Sequence, residues 1–175
     1  NVGSHEDIPV PGELPPLPDN FEFTDLDKRP QAVQYICCSH RRLAQAAQWS
    51  ALNYRHYLAA YYHYVNRVDQ QIGQILEALG NSDAADNTLI VFFSDHGDGM
   101  AAHRMVTKQV SFYEETTRVP FIFAGCSVSE KGRVARAPLV SLSDLLPTLC
   151  EYAALPVPEG IYGESLVPFL HNHHH

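Results

Sequence analysis

The run Thr88-Leu89-Ile90-Val91-Phe92-Phe93 constrains this chain more than any other stretch. Its apolar side chains are continuous rather than alternating. A strand patterned this way has no polar face to show to water, which predicts cover on both faces and suits a parallel sheet between helices. Asp86-Asn87 marks the turn before it. Like every apolar run in the chain it falls far short of the roughly 20 residues that cross a bilayer, so no membrane span is expected.

The flanking pattern agrees with an α/β arrangement. Upstream, Leu58, Tyr61, Tyr62, Val65, Val68, Ile72, Ile75, Leu76 and Leu79 recur at three and four, which predicts a long helix over Tyr54 to Leu79. Gly80-Asn81 is its stop signal. Gly73 inside it costs about 1 kcal/mol relative to Ala, which points to close packing at that position. Tyr57, Tyr61, Tyr62 and Tyr64 at helical spacing read as core residues rather than as a sugar platform. A shorter helix is expected around Arg41 to Ser50. Downstream, Val119 to Ala124 reads as a second strand and Ala137 to Leu142 as a third. Ser143 or Asp144 then caps a helix through Ala153, with Pro147 tolerated in its first turn. Residues 1–30 are rich in Pro and acids, with Pro9, Pro11, Pro15, Pro16 and Pro18 close together. They form an extended arm, residues 31–170 the α/β portion, and residues 171–175 a tail or tag remnant.

The 175 residues are 45% hydrophobic, enough for one domain with a core. The formal net charge of −8 argues against a polyanion-binding surface, so no nucleic-acid partner is expected. Cys37, Cys38, Cys126 and Cys150 show no CxxC spacing, and Cys126 and Cys150 read as buried thiols before they read as a pair.

The candidate chemistry follows the first strand directly, in Ser94-Asp95-His96-Gly97-Asp98-Gly99. In open α/β sheets ligands gather at the carboxyl ends of strands. Asp95 and His96 supply a carboxylate and an imidazole, a partial donor set for a divalent ion. Gly97 and Gly99 permit close backbone approach. In the same long loop Lys108 offers a compact cation for an anionic oxygen, and His103 a proton donor or an oxyanion contact. The plain alternative is that Asp is an ordinary turn residue after a strand, and that Asp-His-Gly is a common tripeptide.

From Tyr61 to Leu170 the chain resembles the sulfatase family of the alkaline-phosphatase superfamily. The resemblance is carried, in order, by Tyr62–Leu79 with Val68-Asp69 and Gln71-Ile72-Gly73, by Asn87 through Gly97, and by His103 and Lys108. It continues in Tyr113-Glu114-Glu115-Thr116-Thr117-Arg118-Val119-Pro120, in Ser143-Asp144-Leu145-Leu146-Pro147-Thr148, and in Gly163-Glu164-Ser165-Leu166-Val167-Pro168-Phe169-Leu170. It implies an alkaline-phosphatase-like three-layer sandwich, mostly parallel sheet with flanking helices. It implies a sulfuric ester hydrolase with a divalent metal, calcium first, and a formylglycine nucleophile. Carried over, Asp95 and His96 become metal ligands, Lys108 stabilises charge on the sulfate, and His103 serves as acid or substrate contact. Substrates would be sulfate esters, including sulfated carbohydrates. The compartment would be periplasmic, secreted or lysosomal.

The match departs in three places. Many members have Asn where His96 stands, and calcium prefers oxygen, so His96 could touch sulfate or the metal could differ. The spacing from Lys108 to Tyr113 is one residue longer than the commonest form. The Cys/Ser-x-Pro/Ala-Ser-Arg nucleophile motif is absent, and Cys37-Cys38-Ser39-His40-Arg41 lacks its order. The chain is therefore expected to be the C-terminal half of a sulfatase, inactive on its own, and prone to dimerise or swap segments through an uncovered sheet edge. A phosphatase or phosphotransferase of the same superfamily, and a non-catalytic metal- or partner-binding module, are the competing readings.

Overall fold

The structure, a computed structural model, describes residues 12–23, 25–32, 34–35, 46–108, 111–126, 128, 132–136 and 139–171. Cys37, Cys38 and residues 41–45 lie outside these, and of the described half of the helix expected at Arg41 to Ser50 only Ala46 is helical, residues 47–50 being turn and irregular chain. The described residues up to Ala78 and from His96 to Val119 form one compact unit. Those of Leu79–Asp95 and from Pro120 onward form a second.

The long helix α1 runs Ala51–Gly80, three residues earlier than its periodicity suggests. Ser50 explains the earlier start. Its hydroxyl accepts from the Asn53 amide at 3.3 Å while the Asn53 side chain accepts from the Ser50 amide at 3.0 Å, a reciprocal cap. In the first unit Tyr54 and Leu58 of α1 are buried with Phe21, Ala46, Ala101 and Val106. Burial of each large side chain there contributes about 1.5–3 kcal/mol. The Tyr54 ring meets Phe21 edge-on at 4.9 Å, and its hydroxyl donates to the Ala46 and Arg104 carbonyls at 3.1 and 2.8 Å. Burial pushes that hydroxyl above its ordinary pKa, so it remains a donor. Beyond Leu58 the apolar stripe behaves otherwise: Val65, Val68, Ile75 and Leu76, expected as core, are exposed. Periodicity reports which face a helix can bury, not what is present to cover it. Gly73 likewise has open space where a Cβ would sit, so close packing does not account for it.

Short elements complete the first unit. A 3₁₀ turn spans Ala102–Arg104, and the short helix α2 spans Glu114–Thr117.

In the second unit β1 (Leu89–Phe93) pairs antiparallel with β2 (Phe121–Gly125), with Leu89 opposite Gly125 and Phe93 opposite Phe121. The expected parallel pairing does not describe this pair. A continuous apolar run calls for cover on both faces but carries no information on neighbour direction. The Phe92 and Phe93 side chains remain about two-fifths exposed, at 42% and 43%. The third strand expected at Ala137 to Leu142 is not formed at Leu139–Ser141. Ser141 instead caps a 3₁₀ turn over Leu142–Asp144, accepting from the Ser143 amide at 3.2 Å while Asp144 accepts from the Ser141 amide at 2.7 Å. That local side-chain cap wins over strand geometry. Helix α3 (Leu145–Tyr152) follows, then α4 (Val167–His171). The Thr148 hydroxyl bonds both neighbours, donating to the Asp144 carbonyl and accepting from the Leu166 amide at 2.9 Å. Cys150 is buried and Cys126 half-buried, both as free thiols.

Candidate anion and metal site

The turn after β1 is built by close approach. A Cβ on Gly97 would lie 1.9 Å from the Glu115 carbonyl oxygen, and one on Gly99 would lie 2.2 Å from the Met105 Cβ. Only glycine fits at either position. Gly97 donates its amide to the Thr116 carbonyl at 2.9 Å, and Gly99 to the Thr107 carbonyl at 3.3 Å. The loop that follows Gly99 then runs through the left-handed region at Met100, Ala101, His103 and Arg104, with φ of 47°, 70°, 52° and 55°. Each non-glycine residue held there costs on the order of 1 kcal/mol, which its surroundings must offset.

Lys108 ends this loop. Its Nζ lies 3.0 Å from Nε2 of His96, and the Nδ1 of His96 lies 3.0 Å from the Gly97 carbonyl. A carbonyl accepts only, so Nδ1 carries the proton and Nε2 accepts from the ammonium. The Lys108 carbonyl is held by the hydroxyls of Ser111 and buried Thr116, at 3.2 and 3.3 Å. The side chain of Lys108 is exposed and that of His96 half-buried. The pair offers a positive, hydrogen-bonding edge suited to an anionic oxygen. Asp95, two residues beyond the end of β1, belongs to the second unit and is exposed.

His103 is enclosed rather than open. Its side chain is 9% exposed. Its ring stacks on Tyr113 at 3.7 Å and 6°. Nδ1 donates to the Phe23 carbonyl at 2.9 Å, and Nε2 accepts from Asn20 Nδ2 at 3.2 Å. The same Asn20 amide donates to Glu115 Oε1 at 2.7 Å. Tyr113 in turn donates its hydroxyl to Asp25, and Arg29 lies over its ring at 4.5 Å. That hydroxyl bond first, with Arg29 assisting against a burial effect of opposite sign, holds the Asp25 carboxyl below its ordinary pKa. Asn20 and Asp25 carry no local sequence signal, while Tyr113 and Glu115 stand in a stretch that carries the family resemblance but says nothing of these bonds. The four come together because residues 14–23 and 25–29 pass over the loop, held in part by Arg55, which donates to the Pro15 carbonyl at 2.8 Å.

Nearby, burial first and Asp98 second push the hydroxyls of Tyr57 and Tyr61 up. Tyr57 donates to the Val106 carbonyl at 2.9 Å. Tyr57 is spent on packing the turn against α1, in keeping with a core role, whereas Tyr62, also expected as core, is half exposed.

As a metal centre the donor set is partial. No group of three or more His, Cys, Asp and Glu is placed to hold an ion among the described residues. Calcium takes 6–8 oxygens and zinc about four ligands. Asp95 offers an oxygen that fits any hard divalent ion. Ligation through Nε2 of His96 requires Lys108 to withdraw from that atom.

The model of the family described as Sulfatase matches residues 2–155. The chain belongs to the sulfatase family. It is 52% identical over 171 residues to the Delta 4,5-hexuronate-2-O-sulfatase of Bacteroides thetaiotaomicron, covering 97% of this chain and 36% of that protein. Among solved structures, a 2-O GAG sulfatase superposes with a TM-score of 0.81 at 48% identity, over 97% of this chain and 37% of the other. A phosphonate monoester hydrolase of Agrobacterium radiobacter superposes at 0.63 and 32% identity, over 72% and 25%. The chain thus spans little more than a third of the length of these two sulfatases. No helix among the described residues is long and apolar enough to cross a membrane.

Proposed function

We propose that this protein is a metal-dependent sulfuric ester hydrolase acting on 2-O-sulfated uronate sugars. The observation that carries the reading is the Lys108–His96 pair at the exit of a glycine turn that admits no Cβ, in a chain so similar to a hexuronate-2-O-sulfatase. The rest of the reading is the alkaline-phosphatase-like three-layer sandwich with its mostly parallel sheet, and a compartment outside the cytoplasm or in the lysosome.

Lys108 places a fixed positive charge where negative charge grows on the sulfate oxygens as the S–O bond breaks. His96, with its proton held on Nδ1 by the Gly97 carbonyl, keeps Nε2 turned toward Lys108 or toward a ligand. Asp95 and His96 would hold two positions of a divalent ion, calcium by family habit, with further ligands from beyond this donor set. Such an ion neutralises sulfate charge and polarises the ester when bound. The expected nucleophile is a formylglycine, and no residue of this chain stands in its motif. His103 is proposed as the weaker contributor, a substrate contact or acid that would have to leave its bonds with Asn20 and Phe23.

The test is made on protein purified from its native source, by peptide mapping and by sulfate release from 2-O-sulfated unsaturated uronate disaccharides. Formylglycine together with sulfate release supports the reading. Hydrolysis of phosphate or phosphonate monoesters without sulfate release would replace it with the second reading, phosphoryl or phosphonyl ester chemistry, which the likeness to the phosphonate monoester hydrolase favours. The chain of residues 1–175 by itself is expected to release no sulfate.

A further inference from the structure

We infer that Asn20 is a positioning residue, which holds the 99–105 loop in its strained course and so presents Lys108 to His96. The inference rests on the reading of Lys108 and His96 as the sulfate-binding pair. Four non-glycine residues of that loop have positive φ, and such backbone persists only where its surroundings over-determine it. Asn20 supplies much of that determination. Its carbonyl accepts from the His103 amide at 3.1 Å. Its side-chain amide uses both hydrogens, one on His103 Nε2 at 3.2 Å and one on Glu115 Oε1 at 2.7 Å.

Those partners lead to the site from two sides. His103 sits at the apex of the loop that Lys108 ends. Glu115 presses its own carbonyl against Gly97, the residue that follows His96. Next to Asn20, Glu22 binds Arg104 through both carboxylate oxygens, at 2.8 and 2.6 Å, and Phe21 is buried beneath the Arg104 guanidinium. Asn20 thus bonds both the loop apex and the segment seated on the glycine turn, and bridges two groups that also approach directly, with Glu115 Oε2 3.7 Å from His103 Nε2.

The full chain, labelled with ¹⁵N, tests this by NMR without recourse to turnover. In wild type, His103 shows the Nδ1-protonated tautomer, and the His96 ring shows the signature of an Nε2 that accepts from an ammonium. Asn20→Ala is expected to shift the His103 ring nitrogens and to speed amide exchange at His103, Arg104 and Met105 on the order of tenfold, as loss of one such bond allows. It is also expected to weaken the His96 signature. A loosened loop with an unchanged His96 ring would make Asn20 merely structural and overturn the inference, as would no change at all. If Asn20→Ala does not fold, the Glu115 pair decides. Glu115→Gln keeps an acceptor for Asn20 and should retain the wild-type spectrum, whereas Glu115→Ala should give the loosened one; identical spectra refute the claim. Absence of sulfate release by the native protein would sink the proposed function while leaving these ring signals as they are.

Discussion

The two compact units of this chain are made of similar residues and finished very differently. The first encloses Tyr54, Leu58, Phe21 and Val106 and ties its polar groups across long sequence distances, although the α1 stripe at Val65, Val68, Ile75 and Leu76 stays exposed. The second holds a two-stranded ribbon and two short helices, with Phe92, Ile122, Val134 and Leu139 showing much of their apolar surface. A two-stranded ribbon is marginal without a third partner. Apolar content therefore does not decide which region is well built. What decides it is whether a second layer is present to cover the strand or helix face.

Several substitutions would break or sharpen that contrast. The largest effect is expected for Tyr54→Ala, which removes a buried ring and two hydroxyl bonds and should cost about 3–5 kcal/mol. Leu146→Ala, on a residue 44% exposed, should cost less than about 1 kcal/mol. Equal losses for the two in urea unfolding would erase the distinction between the units. In the native protein, Lys108→Ala is expected to lower kcat for sulfate release about a hundredfold with the fold intact, the usual loss for a charge-stabilising group. A change confined to KM would demote Lys108 to a substrate anchor. The open faces of the second unit predict self-association of the chain, read as a concentration-dependent sedimentation coefficient. A monomer at every concentration counts against it.

Smaller effects concern the first unit. The Asp25 carboxyl titrates below its ordinary value of 3.8, chiefly through the Tyr113 hydroxyl. A depressed carboxylate stabilises the fold above the unfolded pKa, and that contribution fades as pH falls through the folded value. Asp25→Asn should therefore lower Tm at neutral pH and leave it little changed in strong acid, and parallel Tm curves for the two proteins would contradict this. The smallest effect is a gain: Gly73→Ala, in open helix surface, should add up to about 1 kcal/mol. A loss there would mean that the α1 surface is covered in solution.

Much of this was legible in the chain itself. The period of α1, its stop at Gly80, the strand at Leu89–Phe93 and the opening of a long connection at Asp95 all follow from local patterns, because helix period, turn residues and apolar runs act over a few residues. The direction of β2 beside β1 did not, since pairing direction depends on the path of the chain between them. The Asn20–His103–Glu115 cluster was equally invisible. Asn20 sits in a Pro-rich stretch that reads as an arm, and nothing in Pro18-Asp19-Asn20 foretells a partner so far along the chain. His103 shows the gap well: its loop position drew attention as an acid, while its surroundings show it bonded at both nitrogens.

The reach of that cluster has a kinetic meaning. Asn20 and Glu115 are separated by 95 positions, whereas the bonds of α1 join neighbours on adjacent turns. Closing so wide a loop carries a large entropic cost before any reward arrives, so such contacts tend to form late. The segment around Asn20 should then dock after α1 has formed and detach early on unfolding. Weakening it would speed unfolding far more than it slows folding. The part of the molecule that aims its charged groups would thus be the last to be assembled.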